Sequence, residues 1–336
     1  MYFILDLLLL GCINAIMAAG VNLQYGYNGL LNVANYTFTA IGAYVAGVLT
    51  LGKAPQGTSW IGGWSLPWYV GLLGAGVAAS LAGLIVFLFS IRRLRSDYLA
   101  IVTVAAAYIF YNWATADQGL FDGGNGIFGV PYIFGGSTIT TNEYAALLLI
   151  PTGAILAICV WLSRRIFRSP FGRLLRAVRE DEVVVKAFGR KVWHSQLKIY
   201  TLGCFMSGLA GAMFVFYITA WSPSAFLPGE SFFILAAVII GGTGNYWGGV
   251  LGAFVVVEGL NELTRYLPNF GYPADFGAGR VMLIGVGLLL VLRYRPEGLF
   301  PERWLHWYER RPVTLPVTLR RRPLPTAVTD AEGANR

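Results

Sequence analysis

Charge is scarce in this chain: only 12% of its 336 residues are Asp, Glu, Lys or Arg, whereas 56% are hydrophobic. That balance excludes an ordinary soluble domain, and the mean hydropathy of +0.60 points the same way. Cysteine is sparse too. Cys12, Cys159 and Cys204 each lie inside an apolar run, are odd in number and match no metal-ligand spacing, so they read as small packing residues. His194 and His306 are the only histidines, and no ligand cluster surrounds either. No GxxxxGK[ST] stretch occurs, which excludes a phosphate-cradling loop within this chain. HExxH, GxSxG and paired intramembrane Asp patterns are missing as well, and with them the signatures of an intramembrane hydrolase. The chain reads as a non-enzyme.

What the sequence does have is long apolar runs, near 2–24, 29–50, 67–90, 97–115, 143–163, 197–221, 231–265 and 279–294. Crossing a bilayer core takes roughly 20 apolar residues in a helix. Strands of a membrane barrel would alternate apolar and polar residues, and these runs are continuous. The fold class is therefore all-α: a polytopic transmembrane helical protein of about 8–10 spans, interrupted helices included. The first run has no basic residue before it and carries Asp6, so it reads as a retained helix and not as a signal peptide. The seventh run contains GGTGNYWGG at 241–249. Each glycine costs a helix about 1 kcal/mol relative to Ala, which predicts two shorter helices around a break.

Basic residues are clustered. Three lie in 92–95, ten in 164–198 and nine in 293–336, which is twenty-two of the 25 Lys and Arg. Because Lys and Arg stay on the cytoplasmic side, these regions share one compartment, with 116–142 and 222–230 on the other side. The side of the N-terminus stays open, since a re-entrant second segment would reverse it. Residues 1–299 form the transmembrane domain and 300–336 a basic tail. In that tail ERWLHWYERR (302–311) suits a membrane surface, and the stretch holding Pro312, Pro316, Pro323 and Pro325 reads as disordered. Contact with anionic lipid accounts for the tail better than nucleic acid does.

One island of charge interrupts the apolar background. GRLLRAVREDEVVVKAFG (172–189) carries Arg173, Arg176, Arg179, Glu180, Asp181, Glu182 and Lys186. Ser169 is placed to cap a helix whose first residue is Pro170, and Gly189 is placed to stop it. The spacing predicts one short helix outside the membrane, with i,i+4 pairs Arg176–Glu180 and Glu182–Lys186. Leu175, Val178, Glu182 and Val185 would share a mostly apolar face. The acidic triplet would lie mid-helix, where the helix dipole gives it no special role. Ordered ends and an apolar face on a cytoplasmic loop favour a docking partner over a solvated connector.

Broken helices in membranes expose backbone groups that are tolerated where they line a cavity. Two stretches qualify, 26–44 and 241–253. Asn28, Asn32, Asn35, Tyr36 and Thr37 in the first, with Gly241, Gly242, Thr243, Gly244, Asn245 and Tyr246 in the second, are the candidates for a solute pathway. Close packing of helices is the competing reading for the glycines. Glu258 and Glu262 lie four apart in the seventh run. Glu262 is close to Arg265 and reads as an ion pair, and Asp97 is neutralised beside Arg95. Glu258 lacks an evident partner and keeps open an ion-coupled secondary transporter.

The run SPFGRLLRAVREDEVVVKAFG resembles the cytoplasmic loop of permease subunits of branched-chain amino-acid ABC importers. Ala177, Arg179, Glu180, Asp181, Glu182 and Gly189 match that pattern. Further matches follow in the same order: GYNGLLNVANYTFTAIGAY (26–44), SDYLAIVTV (96–104), GGNGIFGVP (123–131), GLAGAMF (208–214), GGTGNYWGGVLGA (241–253) and YRPEGLF (294–300). The resemblance covers roughly 20–300 and is closer to the M-type than to the H-type permease. Asn35 and Gly249 depart from it, where relatives often have His and Pro. It implies a permease of a bacterial inner-membrane importer of branched-chain or related small amino acids, with urea, short amides or aromatic acids as alternatives. It further implies two cytosolic ATPase subunits that hold the ATP and Mg, a second homologous permease and a periplasmic or lipid-anchored binding protein. Arg176, Ala177, Arg179, Glu180, Asp181, Glu182 and Gly189 would then couple to the ATPase within the loop 164–197. No cofactor is expected in this chain.

Sidedness is directly testable. With the native cysteines replaced, single cysteines at Ser169 and Ser137 are expected to label from opposite faces of the membrane. Labelling of both from outside in intact cells would contradict the charge argument.

Overall fold

The computed structural model describes residues 2–53, 61–91, 98–134, 141–259 and parts of 282–300. In chain order the helices are α1 (Tyr2–Val21), α2 (Asn35–Thr50), α3 (Trp68–Ile91), α4 (Leu99–Ala116), α5 (Gln118–Phe121) and α6 (Thr141–Arg168). They continue with α7 (Pro170–Glu180), α8 (Glu182–Ala187), α9 (Val192–Ile218), α10 (Ser231–Gly241) and α11 (Tyr246–Gly252). Wider π turns extend α1 over Asn22–Gly26 and α11 over Ala253–Gly259. Two-residue strands β1 (Ile127–Phe128) and β2 (Ala220–Trp221) pair antiparallel, with Ile127 opposite Trp221. Among the described residues, six helical stretches are long and apolar enough to cross a membrane, so the chain is an all-α multi-pass membrane protein. Glu262 with Arg265, Asp97 with Arg95, and the tail segment 302–311 lie outside the described residues.

The helices divide into a core and a rim. In α1 and α9, 67% and 72% of the spanning positions are buried, against 22–28% in α3, α4 and α6. The rim helices turn apolar side chains outward, and on α3 these recur every four residues at Leu73, Val77, Leu81 and Ile85. An outward apolar face of this kind suits lipid or a second membrane subunit. Several hydroxyls within the apolar helices are satisfied locally. Thr50, Thr152, Ser163 and Ser207 each donate to the carbonyl four residues earlier.

Close approach of helices depends on missing side chains. The most extensive contacts are those of α9 with α2 and with α3. A Cβ on Gly208 of α9 would lie 2.6 Å from the Ala75 carbonyl oxygen and 2.6 Å from the Ala79 Cβ on α3. A Cβ on Gly42 of α2 would lie 2.6 Å from the Gly208 Cα. Three backbones therefore meet around one glycine. Without a hydrophobic drive between helices in lipid, such contact surface is a main source of association.

Two ends of the bundle can be told apart. At one, β1 pairs with β2, Val130 N–H donates to Thr219 O, and Ile61 N–H donates to Leu120 O. This gathers the loops after α4 and α9, the two expected to share the outer compartment. At the other end lie α7, the break after α1, the break after α10, and Gly298–Phe300 packed on Gly242 (residues 298 and 300).

Substitution separates packing glycines from neutral ones. Gly208→Val is expected to destabilise the bundle by about 3 kcal/mol through overpacking, read as a lowered melting temperature in detergent. Gly153→Ala, where an added Cβ meets nothing within 4 Å, is expected to be neutral or slightly stabilising. Equal melting temperatures for the two variants would contradict this packing account.

Candidate functional site

The first interruption begins where α1 widens. Tyr27 N–H reaches back five residues to Asn22 O at 3.1 Å, and Leu30 N–H reaches Gln24 O at 3.0 Å. The chain then runs without regular structure to Asn35, with Gly29 at a φ of +72°. Backbone groups released there would be costly in an apolar interior, and side chains answer them. Asn32 Oδ1 accepts from Ala34 N–H at 3.0 Å, and Thr103 Oγ1 on α4 accepts from Val33 N–H at 3.1 Å. Ser231 Oγ on α10 accepts from Tyr36 N–H at 3.2 Å.

Asn32 and Asn35, both predicted as pathway residues, come together in a buried amide network. Asn32 Nδ2 donates to Gln24 Oε1 at 2.9 Å and to Asn35 Oδ1 at 3.3 Å. Asn35 Nδ2 donates to Asn32 O at 2.6 Å. Gln24 Nε2 continues the chain to Tyr200 O on α9 at 2.8 Å. Thr37, two residues after Asn35 on α2, is 4% exposed, and its hydroxyl has no hydrogen-bond partner in the structure. The Asn28 amide, at 3% exposure, has none either.

The second interruption is the glycine-rich stretch expected between two short helices, and α10 and α11 flank it as predicted. Gly242 and Gly244 adopt φ of +117° and +80°, conformations open mainly to glycine. Gly241 is a packing position, since its Cβ would lie 2.9 Å from Gly252 Cα. Asn245 caps α11 by accepting from Trp247 N–H at 3.1 Å. A single residue ties this break to the first. Asn22 Oδ1 accepts from Gly244 N–H at 3.0 Å while Asn22 Nδ2 donates to Asn245 O at 2.8 Å. The two interruptions thus meet through Asn22 and Gln24 on one π turn.

The charge island departs from the single helix predicted for it. Asp181, at φ −154° and ψ 105°, ends α7 and caps α8, accepting from Val183 N–H at 2.8 Å and Val184 N–H at 3.1 Å. A short acidic side chain competes for backbone N–H groups and so favours such a break. Asp181 and Glu182 therefore do sit at a helix start, where negative charge is favoured, contrary to the mid-helix reading. The Ser169 cap, Pro170 start and Gly189 stop stand as expected, with Gly189 at φ +75°. Lys186 and Glu182 pair at 2.7 Å.

The break also redistributes the apolar face. Val178, Val185 and Val192 close on one another, with Leu174 against them, and Leu175 is fully buried. The unburied apolar residues are instead Val183, Val184 and Phe188, at 74%, 49% and 81% exposure. Two arginines turn inward. Arg176 lies over the Phe167 ring at 4.4 Å and donates to Phe167 O at 3.1 Å and to Gly172 O at 3.3 Å. Arg179 donates to Gly26 O. Ala177 and Glu180 face outward.

Sequence reasoning missed Asn14, Asn22 and Gln24. All three are amides within the first apolar run, and that contrast is the signal that could have found them. Asn14 Nδ2 donates to Glu258 Oε1 at 2.6 Å, giving Glu258 a partner that the sequence did not reveal. Thr103 and Ser231 carry no sequence signal for their role, since hydroxyls bonding to their own helix would look the same.

Residues 3–293 match the family described as branched-chain amino acid transport system / permease component. The chain is 29% identical over 317 residues to the Escherichia coli (strain K12) high-affinity branched-chain amino acid transport system permease protein LivM, covering 88% of this chain and 69% of that protein. It is also 29% identical over 315 residues to the probable LivM permease of Methanocaldococcus jannaschii, covering 86% and 90%. The probable LivH permease of the same archaeon is 24% identical over 290 residues, covering 84% and 88%. No solved structure matches significantly. With an all-helical membrane body, a glycine-broken core and an ordered loop outside it, this chain belongs to the permease-component family of branched-chain amino acid transport systems.

Proposed function

We propose that this chain is one permease subunit of an ATP-driven importer in the bacterial inner membrane, carrying branched-chain or related small amino acids. Separate ATPase subunits energise it, a second homologous permease completes the membrane channel, and a binding protein delivers the solute. The similarity to both LivM and LivH permeases supports a paired arrangement. The observation that carries the reading is the α7–α8 pair. It lies outside the apolar spans, is capped at both starts, and holds Val183, Val184 and Phe188 out in water. Exposed apolar groups on an ordered, charged element mark a docking site. Glu180 and the Glu182–Lys186 pair beside them would set register on an ATPase surface, since charge complementarity governs specificity more than affinity.

The solute route, in this proposal, passes the two interruptions. Asn32, Asn35 and Thr37 would contribute from the first, and Gly241, Gly242, Gly244 and Asn245 from the second. Polar groups packed into an apolar core without full partners support this, because such groups are costly unless they are used. The amides are closed on one another here, which fits a barrier that opens when the breaks part.

Three measurements test the proposal. Phe188→Asp with Val183→Asp is expected to leave membrane insertion normal and release the ATPase from the purified complex; wild-type stoichiometry would refute docking through α8. The companion Glu180→Lys with Glu182→Lys is expected to lose solute-stimulated ATP hydrolysis. For the route, Thr37→Val removes a hydroxyl that holds nothing in place, so melting temperature should stay constant while uptake falls several-fold. Unchanged uptake would take Thr37 off the pathway.

A further inference from the structure

Arg179 stands apart from the other charges of the island. It belongs to α7, outside the spans, yet its guanidinium donates to the carbonyl of Gly26, the last residue of the π turn Asn22–Gly26. Its stem lies over Gly29, where an added Cβ would be 3.2 Å from Arg179 Cγ and 3.8 Å from Arg179 Cβ. Gly29 therefore leaves room for this side chain as well as turning the backbone at φ +72°. On the same π turn, Asn22 holds Gly244 and Asn245, and Gln24 holds Tyr200 O and Asn32. One cation on α7 thus grips the segment to which both helix breaks are attached.

We infer that Arg179 is an inward tether, which makes α7 and the π turn Asn22–Gly26 move as one body, and not a residue that contacts the ATPase. This rests on the importer reading above and deepens it by dividing the loop into an outward docking part and an inward transmitting part. The chemistry suits the task. A charge-assisted hydrogen bond is roughly twice as strong as a neutral one, and a planar guanidinium holds its direction with little entropy left to lose. The carbonyl it takes is at the end of a helical segment, where no further turn supplies a donor. A displacement of α7 would reach the carbonyl at 26 and, through the same short segment, the side chains of Asn22 and Gln24. Those two side chains span both interruptions.

The test uses the full importer, reconstituted with its ATPases and loaded binding protein. Arg179→Leu keeps the apolar stem and removes the donor. It is expected to retain wild-type ATPase stoichiometry and melting temperature while solute-stimulated hydrolysis and uptake fall at least tenfold. Arg179→Lys, which keeps a donor, is expected to recover most of both. Coupling that returns with the donor, at equal stoichiometry and melting temperature, belongs to the hydrogen bond; a residue that matters only for folding or docking would not show that pattern. Normal uptake in Arg179→Leu, release of the ATPase by it, or an Arg179→Lys variant as uncoupled as Arg179→Leu would each overturn the tether. A wild-type complex that neither binds an ATPase nor hydrolyses ATP would instead overturn the importer reading on which the tether rests.

Discussion

Inside hydrocarbon a peptide group that leaves the helix must still find a partner, and this chain leaves the helix twice within its core. Everything around the two interruptions follows from that demand. Asn32, Thr103 and Ser231 accept from backbone N–H groups between 33 and 36, and Asn22 both accepts from Gly244 and donates to the carbonyl of Asn245. Thr103 lies on α4 and Ser231 on α10, and Gln24 donates to Tyr200 O on α9, so the positions of α4, α9 and α10 relative to the first break are set by hydrogen-bond geometry as well as by packing. A plain helix in either place would have needed none of it.

The glycines serve the same end from the steric side. Gly42 and Gly208 let α2, α3 and α9 approach closely. In lipid, where apolar surface gains nothing by leaving its surroundings, close backbone contact and interhelical hydrogen bonds are what association has to work with. The Asn14–Glu258 bond adds one more such link, between α1 and the π turn after α11.

The island of charge makes sense on the same terms. Two of its three arginines, Arg176 and Arg179, are directed at carbonyls and an aromatic face of the membrane body, whereas Val183, Val184 and Phe188 are directed at water. Burying apolar side chains would have been the favourable local outcome, and α7 and α8 do bury Leu175, Val178 and Val185. What stays exposed lies beyond the Asp181 kink. The kink thus separates apolar side chains packed in the structure from Val183, Val184 and Phe188, which stay exposed.

Much of this was legible in the sequence because it depends on local or one-dimensional properties. Apolar run length gave the spanning helices, glycine density gave the α10–α11 break, and the Ser169, Pro170 and Gly189 signals gave the ends of the island. The Asp181 kink was misread because helical periodicity continues across it, and only the capping geometry of one side chain distinguishes a break from a turn. Sequence alone determined that the chain is helical, membrane-bound and interrupted, since hydrophobicity and backbone propensity act residue by residue. Tertiary structure alone decided that Asn22 joins residues 222 positions apart, that Glu258 meets Asn14, and that Arg179 reaches Gly26. Those pairings depend on which helices are neighbours, and a hydrogen bond, unlike hydrophobicity, has no meaning until its partner is in place.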